Sequence, residues 1–259
     1  MRIIYVLLFT LFGTMFTFFP KPLAANTDSA SIKINHGNEL YLTGNFKEAI
    51  ALYESVREEG FQNGFLYYNL GNAYFRTGEM GKAIFNYIEA QKLLPREDQI
   101  RANLDFTLSK TEDRLMPNNE NAVTALLFWA NDLNLREHGC LVLSLNFLFW
   151  LSMIAWHYQP IAVLDIARKT VLGLLLLSIC GAGTRFYFDS QEQLAVVLTK
   201  TIQVVSSPGA EAKTLFELHE GAVIKILDHQ GDWEKISMGS GKTGWTRNDS
   251  LQIQERRGY

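Results

Sequence analysis

The chain has 259 residues, of which 47% are hydrophobic and 20% are charged, and its formal net charge is −3. A chain without a basic excess cannot neutralise a phosphate backbone, so its charge argues against nucleic acid as a partner. Hydrophobic residues are concentrated in three blocks, which predicts a membrane protein that carries soluble modules.

The first apolar block is at the N-terminus. It covers residues 3–19, follows Arg2, and ends in a Pro-rich break before Leu23-Ala24-Ala25 and polar Asn26. This pattern is typical of a secretory signal, so residues 1–25 are predicted to be a signal peptide. An uncleaved N-terminal helix is the alternative interpretation.

Residues 30–63 and 64–97 repeat one another. Five positions recur at a shift of 34 residues: Gly37, Gly44, Ala49, Ile50 and Tyr53 recur as Gly71, Gly78, Ala83, Ile84 and Tyr87. Small residues let two helices of a hairpin touch, glycine suits the turn between them, and tyrosine fills the space between successive hairpins. Each repeat is therefore predicted to be a helical hairpin. In a third register Asp105 stands where a small residue belongs, so residues 98–112 are predicted to be a capping helix.

The period and pattern resemble the tetratricopeptide repeat. The second copy has most of the family's signature residues: Tyr67, Leu70, Gly71, Tyr74, Gly78, Ala83, Tyr87, Ala90 and Pro95. The first copy is looser, with Val56 and Phe61 at two of those places. The resemblance implies that residues 26–115 form an array that binds protein segments. Two repeats and a cap bury little apolar surface, so a further surface is expected to dock on them.

The first helices of such arrays line a peptide-binding groove. Here its candidate residues are Asn35, Asn38, Tyr41, Asn69, Asn72 and Arg76, spaced three or four apart on each helix. A purely structural role for this face is the alternative. Asn38 and Asn69 match the asparagines of the subfamily that clamps a C-terminal carboxylate. Its basic positions hold Ile34, Gln99 and Asn103, so that clamp is not predicted.

Residues 116–138 connect the array to the second apolar block. They are interpreted either as an amphipathic approach to the membrane or as a plain linker. The second block, residues 139–158, contains no charged residue and is long enough to cross the hydrocarbon core, so it is predicted to be the first transmembrane helix.

The third block, residues 170–184, is shorter and reaches the full width of a bilayer only together with its flanking residues, over 170–188. Residues 170–188 are predicted to be a second transmembrane helix flanked by Lys169, Arg185 and an aromatic belt, with a buried helix of a soluble core as the alternative. The loop 159–169 contains Arg168 and Lys169, which favours the cytoplasm. Two crossings place both soluble regions on the same, outer side of the membrane.

Residues 189–259 change to short alternating runs separated by turn residues, which predicts about five or six strands. Trp233 and Trp245 are the expected large core residues. The order Gly231-Asp232-Trp233 followed by Gly244-Trp245 resembles the bacterial SH3-like domain, SH3b. The resemblance implies a small all-β barrel that binds cell-wall peptides or protein segments. Trp245 and Tyr259 are candidate contact residues, and a core position for Trp245 is the alternative.

No catalytic or cofactor motif is recognised. Gly241-Lys242-Thr243 resembles the end of a phosphate-binding loop, but Ile236 replaces the first glycine and no helix follows. The five histidines have no metal-ligand spacing. We therefore expect no enzyme activity, no cofactor and no metal.

The expected fold is multidomain: an α-helical tetratricopeptide repeat array, two transmembrane helices and a small all-β SH3-like barrel. This order of modules resembles the BatE-type proteins of bacterial aerotolerance operons. The resemblance implies a position on the periplasmic face of the inner membrane and a role in stress tolerance. It also implies partners that include von Willebrand A-domain membrane proteins and a MoxR-type ATPase system. The leading hypothesis is an interaction scaffold, and the alternative is a tether that binds peptidoglycan.

Overall fold

A computed structural model describes residues 27–113, 132–191, 193–209 and 211–254. They belong to two separately packed units that divide between Gln62 and Asn63. The predicted signal peptide, most of the 116–138 segment and Tyr259 lie outside the described residues.

The first unit contains a helical hairpin of α1 (Thr27–Leu42) and α2 (Phe46–Glu58). Gly44 in its turn has a φ of 86°, a conformation that favours glycine. A Cβ at Gly37 would lie 2.5 Å from the Tyr53 ring, so α1 requires glycine where that ring packs. The predicted hairpin and its small-residue contact are confirmed.

The second unit begins with three helices: α3 (Gly64–Thr77), α4 (Met80–Leu93) and α5 (Asp98–Leu108). The contacts of the first hairpin recur here. Gly78 ends α3 with a φ of 84°, and a Cβ at Gly71 would lie 2.6 Å from the Tyr87 ring. The helical, tetratricopeptide-like array predicted from the sequence is therefore present.

Two long helices follow, α6 (Leu135–Tyr158) and α7 (Ala162–Gln191), which pack against each other. Helix α6 begins four residues before the predicted 139, because Asn134 and Glu137 form a reciprocal capping box. Helix α7 begins within the expected loop 159–169. Hydrogen bonds from Lys169 and Arg168 to Asp165 stabilise this extra turn and hold the pKa of that carboxyl below its ordinary value.

Among the described residues, one helix is long and apolar enough to be a membrane span, whereas two were expected. It is α6, with a mean hydropathy of 1.8 and none of its apolar window buried. Residues 170–188 are helical, but charged Lys169 and Arg185 bound their apolar stretch closely. That stretch is shorter than the roughly 20 residues that cross a bilayer without help from flanking side chains.

The C-terminal part of the second unit is an antiparallel sheet of seven strands, more than the number expected. They are β1 (Gln193–Val197), β2 (Thr201–Val205), β3 (Thr214–His219), β4 (Val223–Gln230), β5 (Trp233–Ser237), β6 (Thr243–Arg247) and β7 (Leu251–Ile253). The strand order is β3-β2-β6-β5-β4-β1-β7. In this order the edge strands β3 and β7 do not pair, so the expected barrel is not closed. Helix α4 packs on β1, next to the edge strand β7. A helix that covers an open edge keeps it from pairing with another chain, so the sheet does not need to close into a barrel.

The core of the sheet is aliphatic. It includes Ala195, Val204, Leu218, Ile224 and Ile236, each fully shielded from solvent. The expectation that Trp233 and Trp245 fill this core is wrong, because both remain partly exposed. Successive strand residues face opposite sides, and the core side is taken by Glu234, Ile236, Gly244 and Thr246.

Candidate functional site

Helix α3 carries the predicted groove residues of the second repeat. Asn63 caps its N-terminus by accepting a hydrogen bond from the Phe65 amide at 2.8 Å. Further along α3, Asn69, Asn72 and Arg76 follow one another at helical spacing. The structure thus places these three predicted residues on one side of one rigid helix.

Asn72 is the centre of a polar cluster. Its Oδ1 accepts hydrogen bonds from the Tyr87 hydroxyl at 2.8 Å and from Asn103 Nδ2 at 2.9 Å. Asn103 Nδ2 also lies 3.1 Å from the Tyr68 hydroxyl. Asn72 therefore has a structural role, and its binding role stays a prediction. The cluster holds the amide groups of Asn72 on α3 and Asn103 on α5 in fixed positions.

Asn103 and Tyr68 were not predicted as site residues. Asn103 was noted only as a departure from the carboxylate-clamp pattern. Its position on α5, the helix after the second repeat, is the signal that identifies it as a neighbour of the groove. Tyr68 gives no separate signal, because an aromatic residue on a repeat helix is usually a packing residue.

Aromatic and cationic side chains lie near the C-terminal ends of α3 and α5. The rings of Phe75 and Phe106 are 5.7 Å apart, and Phe106 is 52% exposed. Lys110 Nζ lies 5.0 Å from the Phe106 ring, and Arg76 is exposed on the neighbouring helix. We call the surface formed by Asn72, Phe75, Arg76, Asn103 and Phe106 the α3–α5 face. It offers amides for a peptide backbone, apolar surface for a side chain and positive charge for an acidic group.

The groove residues of the first repeat lie in the other unit. Asn38 Oδ1 accepts a hydrogen bond from the Tyr53 hydroxyl at 2.7 Å, as Asn72 does from Tyr87. Burial, together with the charge of the nearby Tyr41, raises the pKa of Tyr53 to about 12. Tyr41 packs edge-on against Phe46, and Asn35 is exposed. A groove shared by both repeats stays a prediction.

The sheet docks on α4 through a close backbone contact. A Cβ at Gly81 would lie 2.5 Å from the Val197 carbonyl oxygen, so this position of the helix requires glycine. The Gly81 amide donates a hydrogen bond of 3.0 Å to the Glu220 carboxylate. A carboxylate at a helix N-terminus satisfies an amide without an intrahelical partner and is favoured by the helix dipole.

Two further contacts surround this one. Gly221 packs closely against Ile84 of α4 and Thr111: a Cβ at Gly221 would lie 2.9 Å from the Ile84 side chain and 2.5 Å from the Thr111 side chain. Asp113 accepts a 2.6 Å hydrogen bond from the His219 amide, at the free edge of β3. The expectation that a further surface docks on the array is confirmed, and that surface is the sheet of the same chain.

The other end of α4 contacts the start of α6. Asn134 Nδ2 donates to the Leu93 carbonyl at 3.0 Å. Arg96 pairs with Glu137 and donates to the Asp132 carbonyl at 2.9 Å. The second repeat is therefore bonded to both the sheet and the long apolar helix.

Of the two candidate contact residues in the sheet, Trp245 is described. It is half-buried on the outer side of β6, opposite Lys235, whose ammonium lies 6.0 Å from the Trp245 ring. Trp245 is thus available for contact in part, and its binding role stays a prediction.

A family model for the tetratricopeptide repeat matches residues 66–96. The match covers α3 from Leu66 onward, all of α4 and the turn after it, and it agrees with the repeat that the sequence pattern predicted. No curated protein matches the chain. The match supports protein–protein interaction as the general role of this segment.

Proposed function

We propose that this protein is a membrane-anchored, non-catalytic scaffold whose second repeat binds an extended segment of a partner protein at the α3–α5 face. The observation that carries the proposal is the Asn72 cluster. It fixes the amide groups of two helices beside exposed Phe106 and Arg76. Preorganised polar groups beside an apolar contact bind a flexible chain at a lower entropic cost.

Membrane anchorage is supported by the surface of α6 and α7. Their large apolar residues remain exposed although the two helices pack together: Phe147, Leu148, Leu151, Ile154, Leu174, Leu176, Leu177 and Ile179 are 46–56% exposed. Apolar patches of this kind mark contact with lipid or protein. We propose that α6 and residues 170–188 of α7 both cross the bilayer, with Lys169 and Arg185 snorkelling to its surfaces.

The docking of the sheet on α4 supports a shared compartment for the repeats and the sheet, because a contact such as Gly81 with Glu220 cannot form across a bilayer. Arg168 and Lys169 at the opposite end of the hairpin favour a cytoplasmic turn. The resemblance to BatE-type proteins supports the periplasmic side, a stress-tolerance complex, and von Willebrand A-domain proteins and a MoxR-type ATPase system as partners.

The test is co-purification from membranes with the Asn72→Ala plus Arg76→Ala variant. We expect bound partners to be lost, because the variant removes the central amide and the exposed charge of the face. Tyr87→Phe is the matched control. It removes one of the hydrogen bonds that fix Asn72 and keeps every side chain of the α3–α5 face, so we expect a smaller loss of partners than in the double variant. Equal loss of partners in both variants, or full recovery in the double variant, would contradict a binding role for the face.

A second candidate function is a peptidoglycan tether, which the partly exposed Trp245 beside Lys235 favours. Aromatic rings flanked by cations suit sugars and acidic peptides. The full chain in detergent should then co-sediment with purified cell wall, and Trp245→Ala should abolish this. The scaffold proposal expects no co-sedimentation.

A further inference from the structure

Contacts along α4 fix the direction of β1. The N-terminal end of α4 lies against the end of β1, where Gly81 meets Val197. Near the other end, Lys92 donates to the Gln254 side chain at 2.6 Å. The backbone amide of Gln254 in turn donates to the Leu194 carbonyl at the start of β1. Helix α4 and β1 therefore run in opposite directions.

The start of β1 lies at the end of the unit where α6 begins and α7 ends. The C-terminal end of α4 is bonded to the first turn of α6 through Leu93 and Asn134. One residue, Glu192, separates the end of α7 from β1. We call this end of the unit the hairpin end. Strand β1 extends from the hairpin end toward the N-terminus of α4. At the usual helical rise, the N-terminus of α4 is about 21 Å from the hairpin end.

The β4–β5 hairpin extends back past the start of β1. Gln193, the first residue of β1, is opposite Ile226 of β4, and β4 continues to Gln230. Four further residues reach about 13 Å at the usual strand rise. Helix α7 ends at Gln191, about 6 Å of helical rise beyond Tyr187, and β1 begins two residues later. The β4–β5 hairpin is therefore long enough to reach the level of the aromatic residues near the end of α7.

The chemistry of this hairpin suits the surface of a bilayer. A bulge between Ile226 and Asp228 leaves Leu227 unpaired and 48% exposed. Trp233 begins β5 and is partly exposed, with Arg247 opposite it on β6. Tryptophan and arginine are typical of the membrane–water interface, where an apolar ring or stem meets polar head groups.

Charge does not drive the contact. The acidic groups Asp228 and Asp232 are close in sequence to His229, which is bonded to Glu234 at 2.7 Å. On the neighbouring strand Arg247 is paired with Asp249 at 3.4 Å. This end of the sheet therefore has no excess of positive charge for anionic lipids.

We propose that residues 227–233, the membrane-facing tip, rest in the head-group layer of the bilayer that holds α6 and α7. This inference rests on the proposed membrane anchorage. Leu227 and Trp233 make the apolar contact, and the acidic groups remain at the level of the head groups. The contact orients the sheet, and with it the docked second repeat, relative to the membrane.

The test uses the full chain in phosphatidylcholine vesicles, with the two native cysteines, Cys140 and Cys180, replaced by serine. A bimane probe is attached to Leu227→Cys, to Thr199→Cys or to Leu148→Cys. Thr199 is an exposed residue beyond the far end of β1, and Leu148 on α6 has the same 48% exposure as Leu227. Quenching is measured with nitroxides on the lipid head group or deep in the acyl chain.

We expect head-group nitroxide to quench the Leu227 probe several-fold more than the Thr199 probe, with or without phosphatidylglycerol. Equal quenching of these two probes, while deep nitroxide quenches the Leu148 probe, would overturn the tip contact and leave the anchorage intact. A protein partner on the tip would give this same result. Failure of deep nitroxide to quench the Leu148 probe would instead overturn the anchorage itself.

Discussion

The two repeats share one local plan and differ in what they contact. In each, a tyrosine ring packs on a glycine and its hydroxyl donates to the next asparagine: Gly37, Asn38 and Tyr53 in the first, Gly71, Asn72 and Tyr87 in the second. The second repeat is also bonded to the sheet and to the start of α6. A repeated pattern thus determines the hairpin and leaves its neighbours undetermined.

One position accounts for much of the difference. Gly81 of α4 corresponds, at the shift of 34 residues, to Lys47 of α2. Gly81 is buried against the Val197 carbonyl, whereas Lys47 is exposed. A long side chain at this position keeps another backbone away, so position 47 cannot make the close contact that Gly81 makes.

The largest expected effect comes from making the second repeat like the first. Gly81→Lys should destabilise the second unit by roughly 2–3 kcal/mol, because the new side chain overpacks the contact with Val197. Helix propensity alone predicts the opposite sign, since glycine is the poorer helix former. Chemical unfolding in detergent, with proteolysis of the sheet as a second readout, measures the effect.

Lys47→Gly is the matched control for this substitution. It should cost only about 0.5–1 kcal/mol, the penalty of glycine within a helix. If Lys47→Gly destabilises the protein as much as Gly81→Lys does, the close contact at Gly81 does not explain the difference between the repeats.

A smaller effect is expected at the α4 cap. Glu220→Ala should cost about 1 kcal/mol, because the Gly81 amide loses its acceptor at the helix N-terminus. Glu220→Gln keeps an acceptor oxygen and should cost less. Equal unfolding midpoints for the wild type and Glu220→Ala would show that the cap does not contribute to docking.

The smallest effect at neutral pH concerns the first repeat. Folding raises the pKa of Tyr53 from its ordinary value of 10.0 to about 12. The folded state therefore favours the neutral phenol, and the associated stability is complete below pH 10 and is lost as the pH rises through 12. Unfolding of the first hairpin should depend on pH in this window.

Tyr53→Phe should remove that pH dependence, because no group remains to ionise at this position. It should also lower stability modestly at pH 7 by removing the hydrogen bond to Asn38. A pH profile of Tyr53→Phe that matches the wild type would assign the alkaline transition to another group.

Residues close in sequence gave the most successful predictions. The hairpins, the glycine turns at Gly44 and Gly78 and the small residues Gly37 and Gly71 at the helix contacts were all predicted from spacing. The packing of a tyrosine ring on each of these two glycines, within its own hairpin, was not predicted. On the α3–α5 face, Asn72 and Arg76 were predicted. Asn103 and Phe106 were not, because they come from α5, which lies outside the repeat pattern.

The errors concern choices that neighbouring residues do not determine. Alternation in a strand shows that Trp233 and Ile236 face opposite sides, but not which side is the core. Size favoured tryptophan, and the structure buries the aliphatic side. The resemblance to the SH3-like domain implied a closed barrel. In the structure the sheet stays open, and α4, a helix of the second repeat, packs on it.

By itself the sequence determined the repeated hairpins, the apolar helices and the change to β-structure, because helical and strand periodicity depend on nearby residues. The tertiary structure decided which repeat carries the sheet. That choice depends on contacts such as the Gly81 amide with Glu220, which are 139 residues apart. Two backbones approach closely there only because their shapes fit, and a periodic pattern contains no information about the shape of a distant surface.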